Sequence, residues 1–428
     1  MLTASLLMTM LTCGFGVAVT PMVWAVIGDA LNRKINRAAP SRTFTYVDDF
    51  FGAGTHKDTS RTQQIVHETI NDVLGPEGLS IKKNVHAQTA EILGILIDFP
   101  TASMRPKDTA IEKLFYVLFS TDVTKPQPLA YWQCLASLTN LYSHVLHGMR
   151  PFVAPLIRMT HREHDLRPRR AKANAQFAIE IWRTVIAVAY IHPPSVAVTI
   201  QEYLGAPHNA RHFVVVTDAS PWRLCAALYD PTSKELLLWT TYRLPYARDI
   251  RAQFQVQREY LGHLLATILV ARHGPSEMST PLSYEWINDN TGALKWAETH
   301  KCDSEASQYA CLAVTQLHQR AKISVRDATH RAGIHMGEID TMSRIHDAEH
   351  PLQAAVQMRC QYRLPPNKYW QCQNIAELQT LFILVDPSIL YKHNSDHHVA
   401  YMTVSKAVNN LIHVLHQEPP RNRSSLDT

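Results

Sequence analysis

Between about residues 206 and 346 the chain places its acidic residues at the ends of apolar runs, not on helix faces. The run FVVV at 213–216 leads directly into Thr217-Asp218, and Leu224 to Tyr229 and Leu236 to Tyr242 follow as two more runs of strand length. A long helical pattern occupies about 250–271. It is followed by another strand from Leu282 to Ile287, two helical stretches and a glycine-bearing loop. Short β-type runs mixed with helical ones in this order confine the block to an α/β unit.

Four acids stand at the turning points of that unit. Asp218 ends the first strand, and Glu259 lies in the first turns of the long helix, where Gly262, Ala266 and Val270 continue one small or apolar side. That side lets the helix press close to a sheet. Asp289 closes YEWIND and opens TGALKWAE, and Asp340 follows the loop HRAGIHMGE at the start of another helical stretch. Taken singly, each acid reads as a helix cap or a surface charge. Gathered at sheet and helix ends they repel one another unless cations neutralise them, which makes the group a natural site for two magnesium ions.

The order and spacing resemble the ribonuclease H fold in its retroelement form, in which Asp, Glu, Asp and Asp occupy the first strand, first helix, fourth strand end and last helix. TDAS at 217–220, QREYLG at 257–262, INDNTGALKW at 287–296 and the loop from His330 to Arg344 carry the match. The family's last motif has a His ten residues before the final Asp, and His330 and Asp340 keep that spacing. Gly333 and Ser343-Arg344 also match, while Met336 replaces the usual Asn. The resemblance implies a mixed five-stranded sheet flanked by helices. It also makes Asp218, Glu259, Asp289 and Asp340 ligands for Mg2+, which Mn2+ can replace. His330 is either a surface residue or, by the family position on a loop beside the metals, a proton carrier. The groups His161/His164 and His393/His397/His398 lack a full ligand set for a metal site.

Upstream, Tyr46-Val47-Asp48-Asp49 lies between Phe44-Thr45 and Phe50-Phe51 in what reads as a hairpin. It resembles the YxDD hairpin of the reverse transcriptase palm, which implies magnesium binding by Asp48 and Asp49. CGFGVAVTPMVWAVIGDAL at 13–31 is similar to the family's template- and nucleotide-contacting turn and helix. GLSIKKN at 78–84 resembles its Lys-bearing loop, with Lys82 and Lys83, and EILGILID at 91–98 its Leu-Gly primer-grip strand, with Leu93 and Gly94. These four are the implied nucleic-acid contacts. WQCLASLTNLYSHVLHGMRPFVAPL at 132–156 is similar to the connecting helices. The expected organisation is a partial palm at 1–99, thumb or connection helices at 100–205, the ribonuclease H-like unit at 206–346 and a helical extension with a fraying polar tail at 347–428.

Composition sets limits around this reading. With 46% hydrophobic and 18% charged residues the chain is globular, and seven cysteines without a CxxC or paired spacing argue against a disulfide scaffold or a standard zinc ribbon. They point to a reducing, intracellular setting, cytoplasmic or nuclear. A formal charge of +5 is too small to establish a nucleic-acid partner by itself. The densest basic segment, 158–172, reads as a solvated linker or groove lip. Residues 1–28 carry no charge, yet Gly14, Gly16 and Pro21 interrupt them, so the stretch reads as a turn and buried helix and not as a membrane span.

The resemblance therefore implies a retroelement reverse transcriptase/ribonuclease H that hydrolyses RNA in RNA–DNA hybrids. Only Asp29, on a helix, precedes Asp48, so the first palm Asp and the fingers are missing and polymerisation by this chain alone is not expected. Two alternatives stand beside it. One is a catalytically inactive relic that binds nucleic acid or another protein. The other is an RNA-directed DNA polymerase completed by a second retroelement-encoded chain.

Overall fold

The computed structural model describes residues 20–46, 49–76, 78, 87–123, 125–146, 148–161, 168–199, 210–244, 255–274, 281–300, 302, 305–344, 365–385 and 397–417. Residues 1–19, Asp48, Lys82, Lys83, His164, His393, the middle of the basic segment and the polar tail lie outside them, as does the side chain of Tyr46. The chain divides into two compact units, 1–100 and 101–428.

In the first unit, α1 (Thr20–Ala38) buries Ile27, Leu31 and Ile35, a spacing of four residues that keeps one face inward. Asn36 on that helix grips the next strand: its Oδ1 accepts from Thr43 N at 2.7 Å and its Nδ2 donates to Thr43 O at 2.9 Å. Strands β1 (Thr43–Tyr46) and β2 (Asp49–Gly52) form the expected hairpin, with Tyr46 opposite an exposed Asp49. Helix α2 (His56–Leu74) starts at a Thr N-cap, in which Thr55 Oγ1 accepts from Asp58 N at 3.3 Å and donates to Asp58 Oδ2 at 2.7 Å. The segment EILGILID at 91–98, expected as a single strand, instead lies within a second hairpin, β3 (Thr89–Ile92) and β4 (Ile95–Asp98). Leu93 and Gly94 form its two-residue turn with φ of 53° and 79°, the paired positive φ values that a twisted hairpin demands.

The second unit opens with β5 (Ser103–Pro106), which pairs with the later β6 (Val198–Thr199). Between them lie α3 (Asp108–Phe119), α4 (Leu129–Tyr142), α5 (Ala154–Arg158) and α6 (Pro168–Ile191). Then come β7 (Arg211–Ala219), β8 (Arg223–Tyr229), β9 (Leu236–Arg243), α7 (Gln255–His273), β10 (Leu282–Asn288), α8 (Thr291–Thr299), α9 (Glu305–Arg320), β11 (Ile323–His330) and α10 (Glu338–Ser343). The five strands form the mixed sheet that the resemblance implies, in the order β11-β10-β7-β8-β9. β7 and β8 and then β8 and β9 pair antiparallel, whereas β10 runs parallel to both β7 and β11. Strand β11 has no counterpart among the apolar runs picked out in the sequence.

Alternation along the strands builds two layers. Phe213, Val215, Leu224, Ala226, Tyr284 and Trp286 join one core with α7, which is buried from Arg258 to Ala271. Val216, Cys225, Ala227 and Ile287 face the other way and meet Met336, Ile339 and Met342. Met336 thus fills an apolar contact against the sheet. The first core continues through Phe177, whose ring meets Phe152 at 5.7 Å and Tyr309 of α9 at 5.2 Å.

The C-terminal part contributes α11 (Ala376–Val385) and α12 (His397–Gln417), and both pack into that core. Ahead of them, Pro365 to Gln373 runs beside β9. Trp370 N donates to Trp239 O at 2.9 Å, Thr240 Oγ1 donates to Trp370 O at 2.7 Å, and Trp239 Nε1 donates to Pro365 O at 3.0 Å. The segment covers an edge that would otherwise present unpaired backbone groups. No helix among the described residues is long and apolar enough to cross a membrane.

Candidate metal centre

Three of the four predicted acids converge. Asp218 sits at the end of β7, Glu259 on the second turn of α7 and Asp289 immediately after β10, and one carboxylate oxygen from each lies within 4.8 Å of the others. The parallel pairing of β7 with β10 brings Asp218 and Asp289 to the same end of the sheet. Gly262 lets α7 approach: a Cβ there would stand 3.3 Å from Thr217 Oγ1 and 3.4 Å from Thr217 Cβ. A larger side chain would lift Glu259 away from the strand that carries Asp218.

The carboxyls are hard to ionise together. Burial pushes Asp218 up to about 6, the Ser343 hydroxyl opposes that rise, and the charges of Asp340 and Asp289 reinforce it. Burial and then the Asp218 charge raise Glu259 well above the usual carboxylate range, against hydrogen bonds from Asn288 and Gln255. Asp289 is raised too, by burial and then by Asp340. A buried all-oxygen donor set whose members repel one another suits a hard divalent cation, so the residues fit magnesium or manganese.

Asp340 is not one of the three acids whose oxygens meet, although its charge raises both Asp218 and Asp289. On α10, its Oδ1 accepts from Arg344 Nη2 at 2.7 Å and Nε at 2.9 Å, and its side chain is 35% exposed. Its neighbour Ser343 reaches inward instead, donating its hydroxyl to Asp218 Oδ2 while its backbone carbonyl accepts from Ser220 Oγ at 2.8 Å. His330 ends β11 and does not belong to the following loop, and its Nε2 donates to Asp289 O at 3.1 Å. That loop still passes close to the acids, since a Cβ on Gly333 would lie 3.1 Å from Asp289 Oδ2.

The neutral residues of the site are not among those singled out in the sequence. Asn288 Nδ2 donates to Glu259 Oε2 at 3.0 Å, Gln255 Nε2 donates to Glu259 Oε1, and Trp286 Nε1 donates to Thr217 Oγ1 at 2.8 Å. Asn288 lies inside the matched segment INDNTGALKW and Trp286 just before it, but nothing in their spacing announces the partners. Of the residues that the sequence resemblance assigned to a palm, Asp49 is exposed, and Leu93 and Gly94 form a hairpin turn within the first unit.

No family model matches the chain, and no curated protein does. Among solved structures it is similar to the foamy viral protease-reverse transcriptase dRH in complex with double-stranded DNA, at 13% identity and a TM-score of 0.31, over 72% of this chain and 49% of that one. It is also similar to the foamy viral protease-reverse transcriptase in complex with an RNA/DNA hybrid, at 13% identity and a TM-score of 0.32, over 75% of this chain and 39% of that one. A further similarity is to the foamy viral protease-reverse transcriptase with double-stranded DNA, at 12% identity and a TM-score of 0.32, over 74% and 60%. The chain therefore spans less than two thirds of each of these structures.

Proposed function

We propose that the chain is a retroelement-derived reverse transcriptase/ribonuclease H whose working centre hydrolyses the RNA strand of an RNA–DNA hybrid. The observation that carries this reading is the meeting of Asp218, Glu259 and Asp289 within 4.8 Å at one end of a β11-β10-β7-β8-β9 sheet. These three residues would hold the cation, with Asp340 as the fourth acid beside them. When bound, magnesium supplies Lewis-acid stabilisation of the charge that develops on a phosphodiester and its leaving oxygen.

The chain's own residues have separate tasks in this proposal. Ser343 keeps the Asp218 carboxylate turned toward the centre, and Arg344 holds Asp340 at its rim. His330, exposed at the end of β11, moves a proton between the centre and solvent. The hybrid is recognised by backbone shape and 2′-hydroxyl contacts, which is compatible with a formal charge of only +5.

The test is cleavage by the full chain of end-labelled RNA annealed to DNA, with magnesium or manganese. The expected result is hybrid cleavage that spares single-stranded RNA and duplex DNA and is lost in Asp289→Asn. A second reading, an inactive nucleic-acid-binding relic, is favoured by the Arg344 pair that occupies Asp340. Folded wild-type protein inactive with both metals would select it.

A further inference from the structure

Glu259 is the most deeply buried of the three clustered acids, at 1% exposure, and neutral amides engage both of its carboxylate oxygens. Neither amide serves Glu259 alone. Asn288 Nδ2 also meets Thr217 O at 3.1 Å and Thr217 Oγ1 at 3.2 Å, while its Oδ1 accepts from Asn290 N at 2.8 Å. Gln255 Nε2 also donates to Ala219 O at 2.8 Å. Glu259 is thereby tied to Thr217 and Ala219, the two neighbours of Asp218, and to the turn that carries Asp289.

The chemical type of these donors is informative. A Lys or Arg in either place would satisfy Glu259 equally well but would cancel the charge that attracts a cation. An amide fixes the direction of the carboxylate and leaves its net charge intact. A carboxylate has about four lone-pair sites, so two amide donors leave room for a metal. Gln255 also stands one helical turn before Glu259, where side chains four residues apart meet on the same face.

We propose that Gln255 and Asn288 are positioning residues, a neutral clamp that holds Glu259 between Asp218 and Asp289 in the arrangement a divalent cation requires. The proposal rests on the metal-centre reading above. The two residues act through Glu259 and not on the substrate. Loss of such supporting partners weakens metal binding about 10- to 100-fold.

The test is Mn2+ binding to the full chain, followed by the electron paramagnetic resonance signal of the free ion, for wild type, Gln255→Met, Gln255→Asn and Asn288→Leu. Met matches Gln in length without the donor, and Asn keeps the amide but stops one methylene short. The Kd for Mn2+ should rise about 10- to 100-fold in each variant, with circular dichroism unchanged and the metal-free melting temperature of the Gln255 variants lowered by no more than the loss of their hydrogen bonds explains. The two Gln255 variants decide the matter whether or not Asn288→Leu folds. Wild-type affinity in folded Gln255→Met would overturn the clamp while leaving the metal centre standing. A wild-type chain that binds no Mn2+ would overturn both.

Discussion

Ser343 donates its hydroxyl to Asp218 across 125 residues of sequence, so the last short helix of the α/β unit is fastened to the end of its first strand. Ser343→Ala would leave a buried carboxylate short of one donor. A hydrogen bond to a charged group contributes about 1.5–3 kcal/mol. Chemical denaturation at pH 7.5 should show a loss of that size, and a smaller one at pH 5, where Asp218 is largely protonated.

Asp218→Asn should stabilise the metal-free chain at neutral pH. The carboxyl is raised from 3.8 to about 6, so between those values the folded state binds more protons than the unfolded one and stability falls as pH rises. That rise corresponds to about 3 kcal/mol at most. The variant should therefore be more stable than wild type at pH 7.5, and the advantage should vanish near pH 4. Saturating magnesium should reverse the ranking at pH 7.5, and equal melting temperatures across the series would contradict the assigned burial.

His263 should make the chain acid-labile. Its ring is buried, lies 4.3 Å from Trp286 in a stacked arrangement and meets the Tyr284 hydroxyl at 2.8 Å. Burial holds it well below its ordinary 6.5, so stability present above that pH is lost as the unfolded chain takes up a proton below it. His263→Phe keeps a stackable ring and should flatten the decline between pH 6.5 and 5 in a melting series.

Gly262→Ala tests how closely α7 must lie on the sheet. The new methyl would meet Thr217 Oγ1 at 3.3 Å, an oxygen already fixed by Trp286 and Asn288. Overpacking of this kind costs about 1–3 kcal/mol. Hybrid cleavage should fall by more than the stability loss explains, because the helix that must shift carries Glu259.

Asp218 and Asp289 are legible because each falls where a hydrophobic period stops, the first just past FVVV and the second after YEWIN, whereas Glu259 and Asp340 are picked out by order and spacing. Strand β11 is not, since Arg326 and Asp327 interrupt its apolar residues and an edge strand tolerates such charges. His330 consequently reads as a loop residue from sequence. The Leu93-Gly94 turn is hidden inside a continuous apolar run, where a leucine with positive φ gives no compositional sign. The amides of Gln255 and Asn288 are illegible for another reason. Helix spacing allows Gln255 to meet Glu259, but its second partner Ala219 and the pairing of Asn288 with Glu259 are chosen by tertiary proximity, which no spacing rule announces.

The strip from Pro365 to Gln373 gives the molecule an order of manufacture. Its bonds to Trp239 and Thr240 span 126 and 130 residues, and α11 then lays Phe382 on Tyr242 at 4.3 Å. During synthesis the strands of the sheet emerge long before the segment that borders β9, and chains grow at about 5–20 residues per second. For several seconds the nascent sheet has an open flank of the kind that recruits other unfinished chains. Ribosome stalling near residue 346 should therefore expose a species that chaperones capture, and release of the final eighty or so residues should end that dependence.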